Sequence, residues 1–145
     1  MSRALLDTDI FSEILKGRDP TVARAGADYL ARHGEFIVSV VSAMEIAYGL
    51  RRADRFEQLE EFASTLKTTC NVLPFEEPAA LLAGRIEADL EKRGTPIDFT
   101  DVMIAATALV VRLPVVTGNV MHFEAVKKAG YELSIENWRE THLRA

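Results

Sequence analysis

Asp7, Glu45, Asp101 and Asn119 are polar residues placed where apolar segments stop or begin. Asp7 ends the apolar stretch from Ala4 to Leu6, and Glu45 lies one turn into a helix expected after the β-branched run Phe36 to Val41. Asp101 opens a long apolar segment, and Asn119 follows the stretch from Val115 to Thr117. Acids gathered at one place repel one another unless protons or a cation neutralise them. Carboxylate and carboxamide oxygens suit a hard octahedral ion, Mg²⁺ or Mn²⁺, rather than zinc or copper. The chemistry such a group can support is metal-assisted hydrolysis.

Each residue also has a purely structural use. Asp7 or Asp9 suits the N-cap of a helix at Ile10, and Ser42-Ala43-Met44-Glu45 has the spacing of a capping box. Asp101 complements the positive end of its own helix, and Asn119 can cap the helix after it. His33, His122 and His142 lack chelating spacing, and no Ser-His-Asp or Cys-His arrangement is apparent. Covalent catalysis is therefore disfavoured.

The elements that must position these residues alternate. Ala4 to Leu6 reads as a short strand, and Ile10, Phe11, Ile14 and Leu15 repeat at helical spacing up to Gly17. The run Phe36 to Val41 reads as a strand covered on both faces and central in its sheet. Met44, Ile46, Ala47 and Leu50 then read as helix, with another from Phe56 through Leu66. Val72 to Phe75 is a strand whose proline favours an edge or a strand end. A helix follows from Pro78, with Leu82, Ile86 and Leu90 on one face and Gly94 as its stop. A helix from Asp101 to Arg112, a strand at Val115 to Thr117, a helix at Met121 to Ala129 and a strand at Tyr131 to Ile135 complete the chain. Strands alternating with helices imply an α/β domain, a central parallel sheet flanked by helices, over residues 1–145. In such sheets the binding crevice lies beyond the carboxyl ends of the strands, where all four polar residues fall.

Composition narrows the function classes. The chain has 48% hydrophobic and 27% charged residues, ordinary for a folded domain and unlike a disordered or collagen-like one. The apolar run within Val102 to Val111 is far short of the ~20 residues that span a bilayer, so it reads as a buried helix. No secretory signal pattern precedes Asp7, and Cys70 is the only cysteine, which excludes an intramolecular disulfide and points to a cytoplasmic protein. A net charge of -5 means that nucleic-acid binding requires a local basic patch, for which Arg51, Arg52 and Arg55, or Lys16 and Arg18, are candidates.

The motifs resemble those of the PIN-domain ribonucleases, and within them the VapC toxins of bacterial toxin–antitoxin pairs. Leu5-Leu6-Asp7-Thr8-Asp9 is similar to the first motif, with Asp9 where asparagine is common, and Ser39 to Ile46 with Gly49 is similar to the second. Gly94, Pro96 and Asp101 to Ala106 are similar to the third, and Thr117-Gly118-Asn119-Val120-Met121-His122-Phe123 to the fourth. Asn119 is an accepted variant there, whereas His122 replaces an acid; Asp98, three residues before Asp101, could supply the missing charge, but reads more simply as a loop aspartate in water. Asn137-Trp138 resembles the family's ending.

The resemblance implies a Mg²⁺- or Mn²⁺-dependent endoribonuclease with Asp7, Glu45, Asp101 and Asn119 as catalytic residues. Asp7 and Asp101 would bind the metal, Glu45 would bind it directly or through water, and Asn119 would add an acceptor without charge. Thr8 and Thr117 are the expected substrate contacts. The implied substrate is single-stranded or loop RNA, whose bases can be splayed into a crevice. The implied partners are a cognate VapB-like antitoxin and a second copy of the chain, the latter through the Glu45 helix and the helix from Phe56.

Two other classes share some of these features. A response-regulator receiver is also α/β with Mg²⁺-binding acids, but it needs an aspartate ending a central strand and a lysine ending the last one. Neither Val72 to Phe75 nor Tyr131 to Ile135 supplies them. A PIN-like module that only binds RNA or protein would account for Asn119 and His122, but not for three retained acids.

Overall fold

A computed structural model describes residues 1–140. His142 lies outside the described residues. In chain order the elements are β1 (Leu5–Leu6), α1 (Thr8–Lys16), α2 (Pro20–His33), β2 (Phe36–Ser39), α3 (Val40–Arg52) and α4 (Phe56–Thr69). They continue with β3 (Cys70–Leu73), α5 (Glu77–Lys92), α6 (Phe99–Val111), β4 (Val115–Val116), α7 (Val120–Lys128) and β5 (Ile135–Glu136). The strands form one sheet in the order β3-β2-β1-β4-β5, and every pairing is parallel. The expected α/β class is met, with β3 at an edge.

Alternation along the strands divides the core into two layers. Leu5, Ile37 and Val115 are paired in register and point to the face covered by α5, α6 and α7, against Ile86, Leu90, Ile104 and Phe123. Leu6, Val38 and Val116, one residue on, point to the other face, against Ile10, Phe11, Val22, Ile46 and Phe62. Full burial of such side chains stabilises by roughly 1.5–3 kcal/mol each. Tyr29 is buried in the second layer, 5.6 Å from the Trp138 ring and 6.0 Å from Phe36. Its hydroxyl meets the Ala4 backbone, accepting from the amide at 3.2 Å and donating to the carbonyl at 3.3 Å. Trp138 thus closes the layer that α2 covers.

Several elements differ from the sequence expectation. Helix α2 was not expected, although its signals are local: the Asp19 carboxylate accepts from the amides of Thr21 and Val22, Pro20 opens the first turn, and Gly34 ends it in the left-handed region. Its buried face is only Val22, Gly26 and Tyr29, too small a set for apolar spacing to reveal. Strand β2 stops at Ser39 rather than Val41, because the Ser39 hydroxyl accepts from the Val41 amide and starts α3 at Val40. Strand β3 begins earlier and ends at Leu73, before Pro74. Strand β5 lies at Ile135–Glu136 rather than Tyr131 to Ile135. Tyr131 instead donates its hydroxyl to Asp89 at 2.6 Å, and Leu133 enters the core. The apolar run of α6 is largely buried from Val102 to Ala108, as expected, while Val110 and Val111 at its end are exposed, and among the described residues no helix is long and apolar enough to cross a membrane.

Candidate active site

The sheet order fixes where polar residues can meet. The chain runs outward from β1 through β2 to β3, then returns to the other side of β1 with β4. The crevice at this reversal lies between the ends of β1 and β4. The Asp7 amide donates to the Val116 carbonyl at 2.9 Å, so Asp7 stands at that reversal.

Asp7 is only 2% exposed. One carboxylate oxygen caps α1 by accepting from the Ile10 amide at 2.9 Å. Thr117, fully buried, hydrogen-bonds the Asp7 carboxylate and accepts from the Asn119 amide at 2.8 Å. Burial nevertheless pushes the Asp7 carboxyl from 3.8 up to about 7; the Thr117 and Ile10 hydrogen bonds oppose the rise, and the charges of Asp9 and Asp101 add to it. The capping role foreseen for Asp7 is therefore real, but it accounts for one oxygen of a buried acid.

Glu45 is half-buried and held from both sides. The Thr8 hydroxyl donates to its Oε1 at 2.6 Å and lies 2.8 Å from the buried Ser42 hydroxyl, and the Thr100 hydroxyl donates to its Oε2 at 3.0 Å. The capping box expected at Ser42 to Glu45 does not form, because Ser39 is the N-cap and Ser42 lies inside α3. Glu45 is thus free of any local helical duty. Thr100 was not singled out in the sequence, and Ser42 only as a helix cap, since their contacts span 55 residues from Thr100 to Glu45 and 34 from Ser42 to Thr8.

Asp101, in the first turn of α6, meets α7. His122 Nδ1 is 2.7 Å from Asp101 Oδ2, and Asn119 Nδ2 is 3.4 Å from the same oxygen and 2.8 Å from His122 Nδ1. Burial raises the Asp101 carboxyl above its ordinary value; His122 opposes this, and the charges of Asp98 and Glu45 reinforce it. Asp98 is exposed, yet ligand atoms of Asp98, Asp101 and His122 all lie within 4.8 Å of one another. Asp98 is, as one of its two readings had it, an exposed loop aspartate; it immediately precedes α6 and so stands one turn before Asp101.

The structure therefore brings Asp7, Glu45, Asp101 and Asn119 to one crevice, coupled through mutual charge repulsion and hydrogen bonds. Among the described residues, no Lys or Arg pairs with Asp7, Glu45 or Asp101. Oxygen donors with uncompensated charge are the donor set that fits a divalent cation. Thr8 and Thr117, the expected substrate contacts, have their hydroxyls engaged by Glu45 and Asp7. Asp9 is turned away from the crevice, 3.2 Å from Arg139, whose guanidinium also meets Glu13 and Asp19. That clamp lies against Gly118, where a Cβ would come within 2.6 Å of Asp9 Oδ2 and 2.7 Å of Arg139 Nε. The glycine lets the clamp close over the loop between Thr117 and Asn119.

The PIN domain family model matches residues 4–129. The chain is 31% identical over 130 residues to the tRNA(fMet)-specific endonuclease VapC of Shigella flexneri, covering 87% of this chain and 93% of that protein. It is 30% identical over 142 residues to Ribonuclease VapC2 of Haemophilus influenzae, covering 95% and 99%. Among solved structures, DNA-bound VapBC from Salmonella typhimurium includes a chain that superposes with a TM-score of 0.79 at 27% identity, over 95% of this chain and 99% of that one.

Proposed function

Because the chain belongs to the PIN domain family, and within it to the VapC ribonucleases, we propose that it is the toxin of a toxin–antitoxin pair, an endoribonuclease that uses Mg²⁺ or Mn²⁺. The observation that carries this reading is the convergence of Asp7, Glu45 and Asp101 at the β1–β4 reversal with no Lys or Arg paired to them among the described residues. The whole chain acts as one domain.

Asp7 and Asp101 hold the cation, assisted by Glu45 directly or through a water, and Asn119 adds an amide without charge. When bound, the ion polarises the scissile phosphate and acidifies a water. The protein's part is geometry. Thr117 fixes Asp7 from the β4 side, and Thr8 and Thr100 fix both oxygens of Glu45 so that it can orient the attacking water. The Asp7 carboxyl, held near 7, must lose its proton to bind the ion, so ion binding strengthens as pH rises toward neutrality.

The relative from Shigella flexneri carries tRNA(fMet) in its name. We take structured RNA with an unpaired loop as the substrate class here, tRNA first among those to test. Arg51 and Arg52 are exposed in the last turn of the Glu45 helix, Arg51 about 9 Å past Glu45 along its axis, and Arg55 is exposed just beyond it; together they offer the backbone-tracking charge that the chain as a whole lacks. The partner is a VapB-like antitoxin, and a basic side chain presented by it would complement the acids. Val40, Met44 and Tyr48 are 42, 54 and 61% exposed at four-residue spacing on α3, with Phe56 also exposed at the start of α4. This apolar stripe is the homodimer surface. The protein works in the cytoplasm, where its RNA substrate is.

The test is incubation of purified protein with total RNA, with Mg²⁺ or Mn²⁺ and then with chelator, beside Asp7→Asn. Chelator-sensitive cleavage missing from the variant supports the reading. Equal cleavage by both proteins contradicts it.

A further inference from the structure

We propose that His122 is a metal ligand in this chain, and that Asp98 and His122 join Asp101 in holding the divalent ion, adding an imidazole to its carboxylates, which turns the site toward Mn²⁺ over Mg²⁺. The inference rests on the metal-dependent reading above and goes beyond it by adding a nitrogen donor.

Three observations carry it. Ligand atoms from the three residues lie within 4.8 Å of one another although His122 is 21 residues from Asp101. Second, both helices that deliver them give up a local stabilisation to do so. Asp98 and Asn119 occupy the N-cap positions of α6 and α7, where such side chains ordinarily accept from a backbone amide, and neither makes that bond. The Asn119 amide is instead directed at Asp101 and His122. Asp7, Asp19 and Ser39, in the same position on other helices, all cap.

The third observation is a proton count. His122 Nδ1 stands 2.7 Å from Asp101 Oδ2 and 2.8 Å from Asn119 Nδ2. If Nδ1 carries hydrogen, it donates to Asp101 and faces the donor amide of Asn119 with a second donor. If Nδ1 is bare, it accepts from Asn119 and faces the carboxylate with a second acceptor. With the Asn119 nitrogen turned toward His122, either state leaves one close contact unsatisfied. An ion between Nδ1 and Oδ2 uses the nitrogen lone pair and neutralises the carboxylate at once, while Oδ2 still accepts from Asn119. An imidazole among carboxylates favours Mn²⁺ and later first-row ions relative to Mg²⁺, which prefers oxygen and retained water.

The experiment is Mn²⁺ binding followed by electron paramagnetic resonance on the full chain without RNA, with Mg²⁺ as competitor. Free Mn²⁺ gives the affinity, and pulsed measurement detects a directly bound ¹⁴N nucleus. Wild type should bind Mn²⁺ with a nitrogen coupling. His122→Ala should lose the coupling and bind at least ~10-fold more weakly. His122→Asp should also lose the coupling, yet retain binding and let Mg²⁺ compete better. Circular dichroism of the metal-free variants checks that they are folded, and the wild-type coupling needs no variant. Mn²⁺ bound by wild type without nitrogen, or with the same affinity and coupling in His122→Ala, overturns this inference and leaves the metal-dependent reading standing. No Mn²⁺ binding by wild type overturns both.

Discussion

On the β1–β2 side of the crevice, the residues next to the chemistry also hold the fold. Asp7 caps α1, Ser39 caps α3, and Glu45 receives hydroxyls from Thr8 and Thr100. On the α6–α7 side, Asp98 and Asn119 begin their helices without capping them, and His122 is about a third exposed. The buried side is satisfied by the protein itself, apart from the charge on Asp7. On the open side the partners are side chains of the cluster itself, Asp101 meeting His122 and Asn119. A polar group with every partner in place is structure, whereas one that forgoes a local partner while facing an acid is held in readiness for a ligand.

The largest effect that can break this contrast is at Asp7. Asp7→Asn should lower RNA cleavage at least ~100-fold while circular dichroism stays unchanged, since the amide keeps the volume and the cap but removes the ligand charge. The same substitution should stabilise the metal-free protein. Burial raises the folded carboxyl from 3.8 to about 7, so folding favours its protonated form. Wild type therefore loses stability as pH climbs from about 4 through 7, and the variant does not. The gap should be absent near pH 3 and reach as much as about 4 kcal/mol at pH 8, at roughly 1.4 kcal/mol for each pH unit between the two values. Chemical denaturation in chelator at the two pH values reads it out. Saturating Mn²⁺ should narrow the gap by stabilising only wild type.

A smaller effect belongs to the hydroxyls. Thr8→Val removes the 2.6 Å bond to Glu45 and leaves Thr100 in place, so the cleavage rate should fall about 10-fold with Mn²⁺ affinity nearly unchanged. A loss of Mn²⁺ affinity equal to the loss of rate would instead make Glu45 a direct ligand. Smallest is the comparison of caps. Ser39→Ala should cost about 1 kcal/mol in thermal unfolding, and Asp98→Ala less than about 0.5 kcal/mol, because only the first breaks a cap. Equal costs would erase the distinction between the two sides.

The same contrast explains what the sequence made legible. Asp7, Glu45, Asp101 and Asn119 could be read because each lies at, or within a turn of, the point where an apolar run stops or begins, and an alternating pattern sends such points to one edge of a parallel sheet. The capping box at Ser42 misled because spacing alone does not say which serine starts a helix, and Ser39 lies three residues earlier on the same pattern. Helix α2 escaped because Gly26 packs its backbone against Ile14 and most of its remaining face is small or polar. The partners Thr100 for Glu45 and His122 for Asp101 are products of tertiary approach, and no local period announces them. His122 was read as lacking a chelating histidine partner and as standing where an acid is usual, whereas its neighbours are carboxylates at the start of another helix.

The metal-dependent nuclease reading stands or falls with the cation dependence of the acids. The deciding measurement is single-turnover cleavage of purified tRNA across a Mn²⁺ titration starting from chelated protein, for wild type and Asp101→Asn. Wild type should show no cleavage in chelator and a saturable rise with Mn²⁺, and the variant should stay at least ~100-fold lower throughout. Cleavage of equal rate in chelator and in Mn²⁺, or a variant that follows the wild-type curve, would contradict a nuclease whose acids act by holding a metal.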